Sequence, residues 1–229
     1  EEISANLLAN YRKKGVAFEL GAKVTAVRDG AVVFERGGAE TAVPADKVLL
    51  SIGRRPVTRG FGLETLSPQM DRAALLSNEC GRTSVPGLYA AGDVNGRSML
   101  AHTAYREAEV AVNTMLGKRD RMRYDNIPAV IYTNPEVACV GLTEAEAKKR
   151  GLDVESLTVS LRYSGRYLAE NEGGDGIAKL IVDKKHRVLR GVHMIGSYAS
   201  EIIYGAALML ETELTVEDLP AVIRDQARP

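Results

Sequence analysis

Between Thr83 and Asp93 the chain reads Thr-Ser-Val-Pro-Gly-Leu-Tyr-Ala-Ala-Gly-Asp, and the run Ser98-Met-Leu-Ala-His102 follows. Pro86-Gly87 signals a turn, Leu88 to Ala91 reads as a short buried strand, and Gly92 breaks the pattern where a tight backbone approach is wanted. Asp93 is then expected just past a strand's carboxyl end, the edge at which open α/β sheets bind ligands. From Met99 to Leu116, Leu100, Ala104, Ala108, Ala111 and Met115 recur at helical spacing, and Gly117 supplies the stop. A carboxylate ahead of such a helix can accept hydrogen bonds from sugar-like hydroxyls, and the helix's free N–H groups point the same way. Taken alone, Gly-Asp also reads as a plain β-turn-α connection in which Asp93 caps the helix.

The balance of charge narrows the classes of function. Lys plus Arg and Asp plus Glu number 30 each among 229 residues, so no net field favours nucleic acid or an anionic membrane, and no basic stripe interleaves with aromatics. No run of about 18 apolar residues is present to span a bilayer. The start at Glu1-Glu2 lacks the basic flank and apolar stretch of a signal peptide, so a cytoplasmic location is expected. The missing initiator Met points to a piece of a longer chain. Cys80 and Cys139 show no paired spacing and read as packing thiols. His102, His186 and His193 are not at metal-ligand spacing, so no metal site is expected.

In chain order, Glu1 to Lys14 reads as a helix stopped by Gly15, and Val16 to Leu20 as a strand. Gly21 to Val27 and Ala31 to Glu35 form a hairpin around Asp29-Gly30. Thr41 to Ile52 supplies two extended pieces, the second of which, Lys47 to Ile52, is expected as a buried strand leading into Gly53. No Gly-x-Gly-x-x-Gly occurs here. Val57 to Cys80 carries few periodic signals, and the charged stretch Lys118 to Asn126 marks a boundary. Beyond it, two strand-like runs split at Asn134-Pro135, and Thr143-Glu-Ala-Glu146 is a capping box for a helix closed by Gly151. Leu157 to Leu161, Ile177 to Asp183 and Arg187 to Ile195 read as strands, the last two joined by a hairpin. Ser200 to Leu210 is a helix with more apolar surface than one buried face needs, which implies a second covering surface.

The Thr83 to Asp93 run, Met99-Leu-Ala-His102 and the upstream Ser51-Ile-Gly-Arg-Arg-Pro56 resemble the flavin disulfide reductases, also called pyridine nucleotide-disulfide oxidoreductases. Tyr132-Thr-Asn-Pro-Glu136, Gly141-Leu-Thr-Glu144 and the stretch Tyr163 to Glu172 with Gly176 to Lys179 look most like its dihydrolipoamide dehydrogenases. The resemblance implies that Asp93 bonds the ribityl chain of FAD and that Met99, Leu100, Ala101 and His102 begin a helix facing its ring system. It places Gly53 where the backbone approaches the nicotinamide end of NAD. Arg54 and Arg55 are left open between ligand contact and a solvated interdomain crossing.

The fold class so implied is α/β and α+β. Residues 1–57 would be the carboxyl half of an NAD-binding domain, 58–120 the second segment of an FAD-binding domain, and 121–229 an interface domain that forms a homodimer. The implied function is FAD-dependent oxidation of dihydrolipoyl groups with NAD as acceptor, the partner being a dihydrolipoyl-bearing protein of a 2-oxoacid dehydrogenase or glycine cleavage complex. The alternatives are a glutathione- or mercuric-reductase-like enzyme and a non-catalytic dimerisation module. Neither the family's redox cysteine pair nor its closing His-Pro-Thr motif occurs before Arg228-Pro229, so no residue of the chain takes a catalytic role. Pro220 removes a donor just after Thr215-Val-Glu-Asp218 and speaks against a regular helix there.

Overall fold

The computed structural model describes residues 1–219, so the expectation at Pro220 and the closing residues Arg228-Pro229 lie outside the described residues. The chain divides into two compact units, Tyr11–Arg54 and a larger one combining Glu1–Asn10 with the chain from Arg55. Helix α1, Glu2–Lys13, has an acidic first turn and a basic last turn, each opposite in sign to the helix dipole, and no fully buried residue. β1, Lys23–Arg28, and β2, Ala31–Arg36, form the expected hairpin, with Asp29 and Gly30 both at positive φ as a tight two-residue turn requires. β3, Ala39–Pro44, adds a third antiparallel strand.

The structure corrects three strand expectations. Val16 to Leu20 and Lys47 to Ile52 are not in strands, and Leu49, Leu50 and Ile52 are exposed. Leu88 to Ala91 is extended and partly buried, but Tyr89 makes only an isolated bridge to Arg82. A strand's polar backbone is satisfied by neighbouring segments: no strand among the described residues pairs with the first two runs, and the third pairs only with the short stretch Gly81 to Thr83.

In the larger unit a small hairpin, β4 Met70–Asp71 and β5 Ala74–Leu75, precedes α2, Ala101–Met115. The sheet that follows has five antiparallel strands in the order β6-β7-β10-β9-β8. These are β6 Ala129–Ile131, β7 Glu136–Gly141, β8 Val154–Ser160, β9 Ile177–Asp183 and β10 Leu189–Gly196. α3, Glu144–Lys149, opens on a complete capping box: Thr143 accepts from the Glu146 N–H, and Glu146 accepts from the Thr143 N–H. A short helix that the sequence does not announce, α4 Gly165–Glu170, is capped by Ser164. Helix α5, Ala199–Glu211, packs on β7 and β10.

Ala138, Val140, Val192, Met194, Ile203, Ala206 and Leu210 make the main core between α5 and the sheet. Leu142, Ala147, Val154 and Ile181 make a second beside α3. Where β7 and β10 meet, Gly141 faces Gly191. A Cβ on Gly141 would stand 2.3 Å from Arg190 O, and one on Gly191 would stand 2.1 Å from Leu142 O, so only glycine fits at either position. One ammonium fixes the start of α1 to this layer, because Lys179 Nζ on β9 reaches Glu2 Oε1 at 2.7 Å and Glu144 Oε2 at 3.0 Å. Side chains of Asn6 and Asn10 both donate to Asp175, reinforcing the same contact. No helix among the described residues is long and apolar enough to cross a membrane.

Candidate functional site

Gly92 lies in a buried, left-handed conformation, φ 80 and ψ −159, that an L-side chain would strain to adopt. A Cβ there would also come within 3.3 Å of the Ala104 Cβ, so the turn rests directly on the first turns of α2. The next residues, Asp93–Asn95, form a 3-10 turn. Asp93 is exposed and no donor among the described residues reaches its carboxylate, whereas Asn95 is buried.

The plain reading of Asp93 as the cap of α2 fails. The residue at the cap position is Leu100, and no side chain caps the helix. The first intrahelical bond runs from Ala104 N to Leu100 O, so the N–H groups before it remain available to an acceptor. Met99 and Leu100 are half-buried, while Ala101 and His102 face outward. His102 Nε2 lies 2.8 Å from Pro128 O; a carbonyl only accepts, so that nitrogen carries the proton. A cleft of about 630 Å³ lined by Leu100, His102, Pro128, Tyr132, Tyr204 and Leu208 separates the start of α2 from the outer face of α5. On that face Tyr204 and Leu208 are exposed, and Ile202 is exposed on another side of α5, as the excess of apolar residues in the helix implies. Gly53, at φ 112 with no atom within 4 Å of a would-be Cβ, lies in the other unit. Arg54 and Arg55 are exposed.

The buried face of α2 differs from the apolar stripe. Thr103, Glu107, Val110, Ala111 and Thr114 are buried, while Ala108 and Met115 are exposed, a rotation of about one residue position. Glu107 explains the rotation. Its carboxylate, 2% exposed, accepts from Gly92 N at 2.5 Å, Asn95 Nδ2 at 2.8 Å and the Tyr124 hydroxyl at 2.7 Å. Three such bonds outweigh the little that an exposed Ala would gain by turning inward. Burial, with the Glu107 carboxylate beside it, pushes the Tyr124 hydroxyl up to about 12, and the Arg97 guanidinium lies 4.8 Å from the Tyr124 ring. Sequence reasoning missed Glu107, Asn95 and Tyr124. One signal was present, since Glu107 lies four residues after Thr103 and three before Val110, where a buried helix face would carry a charge.

On the outer side of α2, Asp120 takes both guanidinium nitrogens of Arg106, at 2.9 and 2.6 Å, and the amide of Asn113. Those bonds, Arg106 first, lower its carboxyl to about 2. Cys80 and Cys139 are both free thiols, and burial raises the pKa of Cys139. Among the described residues no group of three or more His, Cys, Asp or Glu side chains is arranged to hold a metal ion.

A mixed chain of this kind, with an uncapped helix behind an acidic turn and an antiparallel sheet carrying an exposed apolar helix face, has close counterparts among redox enzymes. The pyridine nucleotide-disulphide oxidoreductase model matches residues 1–108, and the dimerisation domain of the same enzymes matches residues 127–224. The chain belongs to the pyridine nucleotide-disulphide oxidoreductase family, a family of FAD- and NAD(P)-using oxidoreductases. It is 38% identical to dihydrolipoyl dehydrogenase 3 of Pseudomonas aeruginosa, covering 95% of this chain and 48% of the relative. It is 37% identical to dihydrolipoyl dehydrogenase of Bacillus subtilis, covering 97% and 48%. LpdA from Mycobacterium tuberculosis superposes with a TM-score of 0.82 at 26% identity, covering 95% of this chain and 48% of that one. The Escherichia coli flavoprotein disulfide reductase RclA superposes at 0.81 with 23% identity, covering 100% and 52%, a likeness of fold. The chain spans about half the length of the curated relatives it matches.

The chemistry of the donors and acceptors fits a flavin. Asp93 offers an unengaged carboxylate to hydroxyl donors, and the bare start of α2 offers N–H donors to a carbonyl or an anion.

Proposed function

We propose that the chain is the carboxyl-terminal part of a dihydrolipoyl dehydrogenase, an enzyme that oxidises dihydrolipoyl groups with FAD and passes the electrons to NAD. The observation that carries this reading is the pairing of a free Asp93 carboxylate with an uncapped α2 in a chain 38% identical to such an enzyme. When bound, FAD would supply the two-electron relay between thiol and nicotinamide. The residues of this chain hold and orient. Asp93 would accept from ribityl hydroxyls, the N–H groups at Ala101 and His102 would serve as donors to the ring system, and Met99 and Leu100 would pack beside them. Gly53 leaves room for the nicotinamide end of NAD.

In this reading residues 1–57 belong to the NAD-binding domain, 58–120 to the FAD-binding domain and 121–229 to an interface domain that pairs with a second copy. The exposed Ile202, Tyr204 and Leu208 of α5 support that pairing. The partner is a dihydrolipoyl-bearing protein of a 2-oxoacid dehydrogenase or glycine cleavage complex. A cytoplasmic location is part of the proposal and is tested by fractionating the native source.

The deciding experiment is FAD dissociation from the protein expressed from its complete reading frame. Asp93→Ala is expected to weaken FAD roughly tenfold to a hundredfold, the loss of a charged hydrogen bond. Ala101→Ser, which keeps the backbone donors, is expected to change it little. Equal losses in the two variants refute the assignment of Asp93.

A further inference from the structure

Glu107 is a fully buried carboxylate that the reading above does not use. Burying an ionised group is costly unless it is hydrogen-bonded, and an apolar residue at this place on α2 would pack against its neighbours without that cost. The carboxylate's oxygens are spent on one short stretch of chain. Oε2 takes the N–H of Gly92, and Oε1 takes the side-chain amide of Asn95, whose own carbonyl oxygen accepts from Arg97 N at 2.9 Å. Asp93 stands between those two clamped residues. Its neighbour Gly92 holds a backbone conformation of high energy for most residues, and the Glu107 bond satisfies a buried N–H that nothing else reaches among the described residues. Tyr124 adds a third donor to Oε1 from the segment leading into β6.

We infer that Glu107 is a positioning residue for the cofactor anchor, fixing the Gly92–Asn95 turn from inside so that the Asp93 carboxylate is held outward, ready for ribityl hydroxyls. The inference rests on the assignment of Asp93 above. Among the described residues no partner holds the Asp93 carboxylate, so the precision of its placement comes from the backbone on either side. Glu107 sets that backbone from α2, the same helix whose bare start faces the ring, so the two parts of the site share one rigid support.

A double-mutant cycle on FAD affinity tests this in the protein expressed from its complete reading frame, read by flavin fluorescence, with visible circular dichroism of the bound flavin and Tm recorded for each variant. Glu107→Gln keeps the shape but leaves one acceptor oxygen where two met three donors. It is expected to weaken FAD about tenfold when Asp93 is present and less than about twofold in the Asp93→Ala background, with an altered flavin signal only in the first. Its effect on Tm should be equal in both backgrounds. Tyr124→Phe, which removes one donor and leaves the carboxylate, should show the same pattern at about twofold to threefold, and it carries the test if Glu107→Gln does not fold.

Equal weakening of FAD in both backgrounds overturns the inference, since Glu107 would then act on general stability. Unchanged FAD affinity in Glu107→Gln beside a large loss in Asp93→Ala overturns it as well, with the anchor assignment intact. Full FAD affinity in Asp93→Ala is the separate outcome that removes the anchor assignment and this inference together.

Discussion

β9 buries Ile181 completely, whereas Leu49 and Leu50, in the comparably apolar run Lys47 to Ile52, stand 90% and 77% exposed. β9 lies between β8 and β10 and is hydrogen-bonded along both edges. The run before Gly53 has no paired neighbour among the described residues and takes no strand conformation. The difference teaches that β-forming character is a fit to a neighbouring pleated surface and not a property a segment holds alone.

The largest loss is expected from opening the sheet. Gly141→Ala would place a Cβ 2.3 Å from Arg190 O at φ 79, and we expect a loss above about 4 kcal/mol, read by urea unfolding of residues 1–229. An unfolding midpoint equal to that of the native chain would show that β7 and β10 do not meet as described. Next in size is Ile203→Ala in the core under α5, expected to cost about 2 to 5 kcal/mol, set against Leu50→Ser, expected within about 0.5 kcal/mol. A costly Leu50→Ser in this chain would mean that the exposed run is packed after all. The same variant made in the product of the complete reading frame sharpens the point, because a cost appearing only there would show a supplied neighbour.

A smaller effect comes from the β9–β10 turn. Asp183 accepts from the N–H groups of His186 and Lys185, from the His186 ring and from Arg190. These bonds, the His186 N–H first, lower its carboxyl from 3.8 to about 2 against the opposing push of burial. A folded value below the unfolded one means stability that is present above about pH 4 and is lost as pH falls through about 2. Asp183→Asn should therefore lower Tm at neutral pH by less than Ile203→Ala, with the gap to the native chain closing in acid. A gap that persists unchanged at pH 2 would contradict this. Smallest is Thr143→Ala, expected to cost about 1 kcal/mol by removing one half of the capping box, measured by the same urea titration. A loss indistinguishable from zero would show that the remaining sheet contacts hold α3 in place without it.

What was legible follows from where each element finds its hydrogen bonds. α2, α3 and α5 satisfy their own backbones, and their ends at Leu100, Thr143 and Glu211 lie within a residue or two of what the sequence predicts. The hairpins at Asp29-Gly30 and Lys184 to His186 were equally clear, since short turns set the pairing of adjacent strands. Val16 to Leu20 and Lys47 to Ile52 find no partner strand among the described residues, and Leu88 to Ala91 has only its bridge to Arg82, so an apolar run alone made none of them a strand. In the candidate site, Asp93 and the start of α2 could be read from motifs. Glu107, Asn95 and Tyr124 could not, because they come together only across a turn and a helix face. The α2 stripe was misread by about one position for the same reason, as a hydrogen-bonded carboxylate took the inward place given to Ala108.

The ammonium of Lys179 has a consequence in time. Its partner Glu2 is made 177 residues earlier, and at roughly 5 to 20 residues per second the ribosome needs about 9 to 35 s to cover that distance. Through that interval α1 has its dipole-matched ends but neither its ammonium nor the Asp175 acceptors of Asn6 and Asn10. A helix of 12 residues is marginal by itself in water, so α1 is expected to fray until β9 is made.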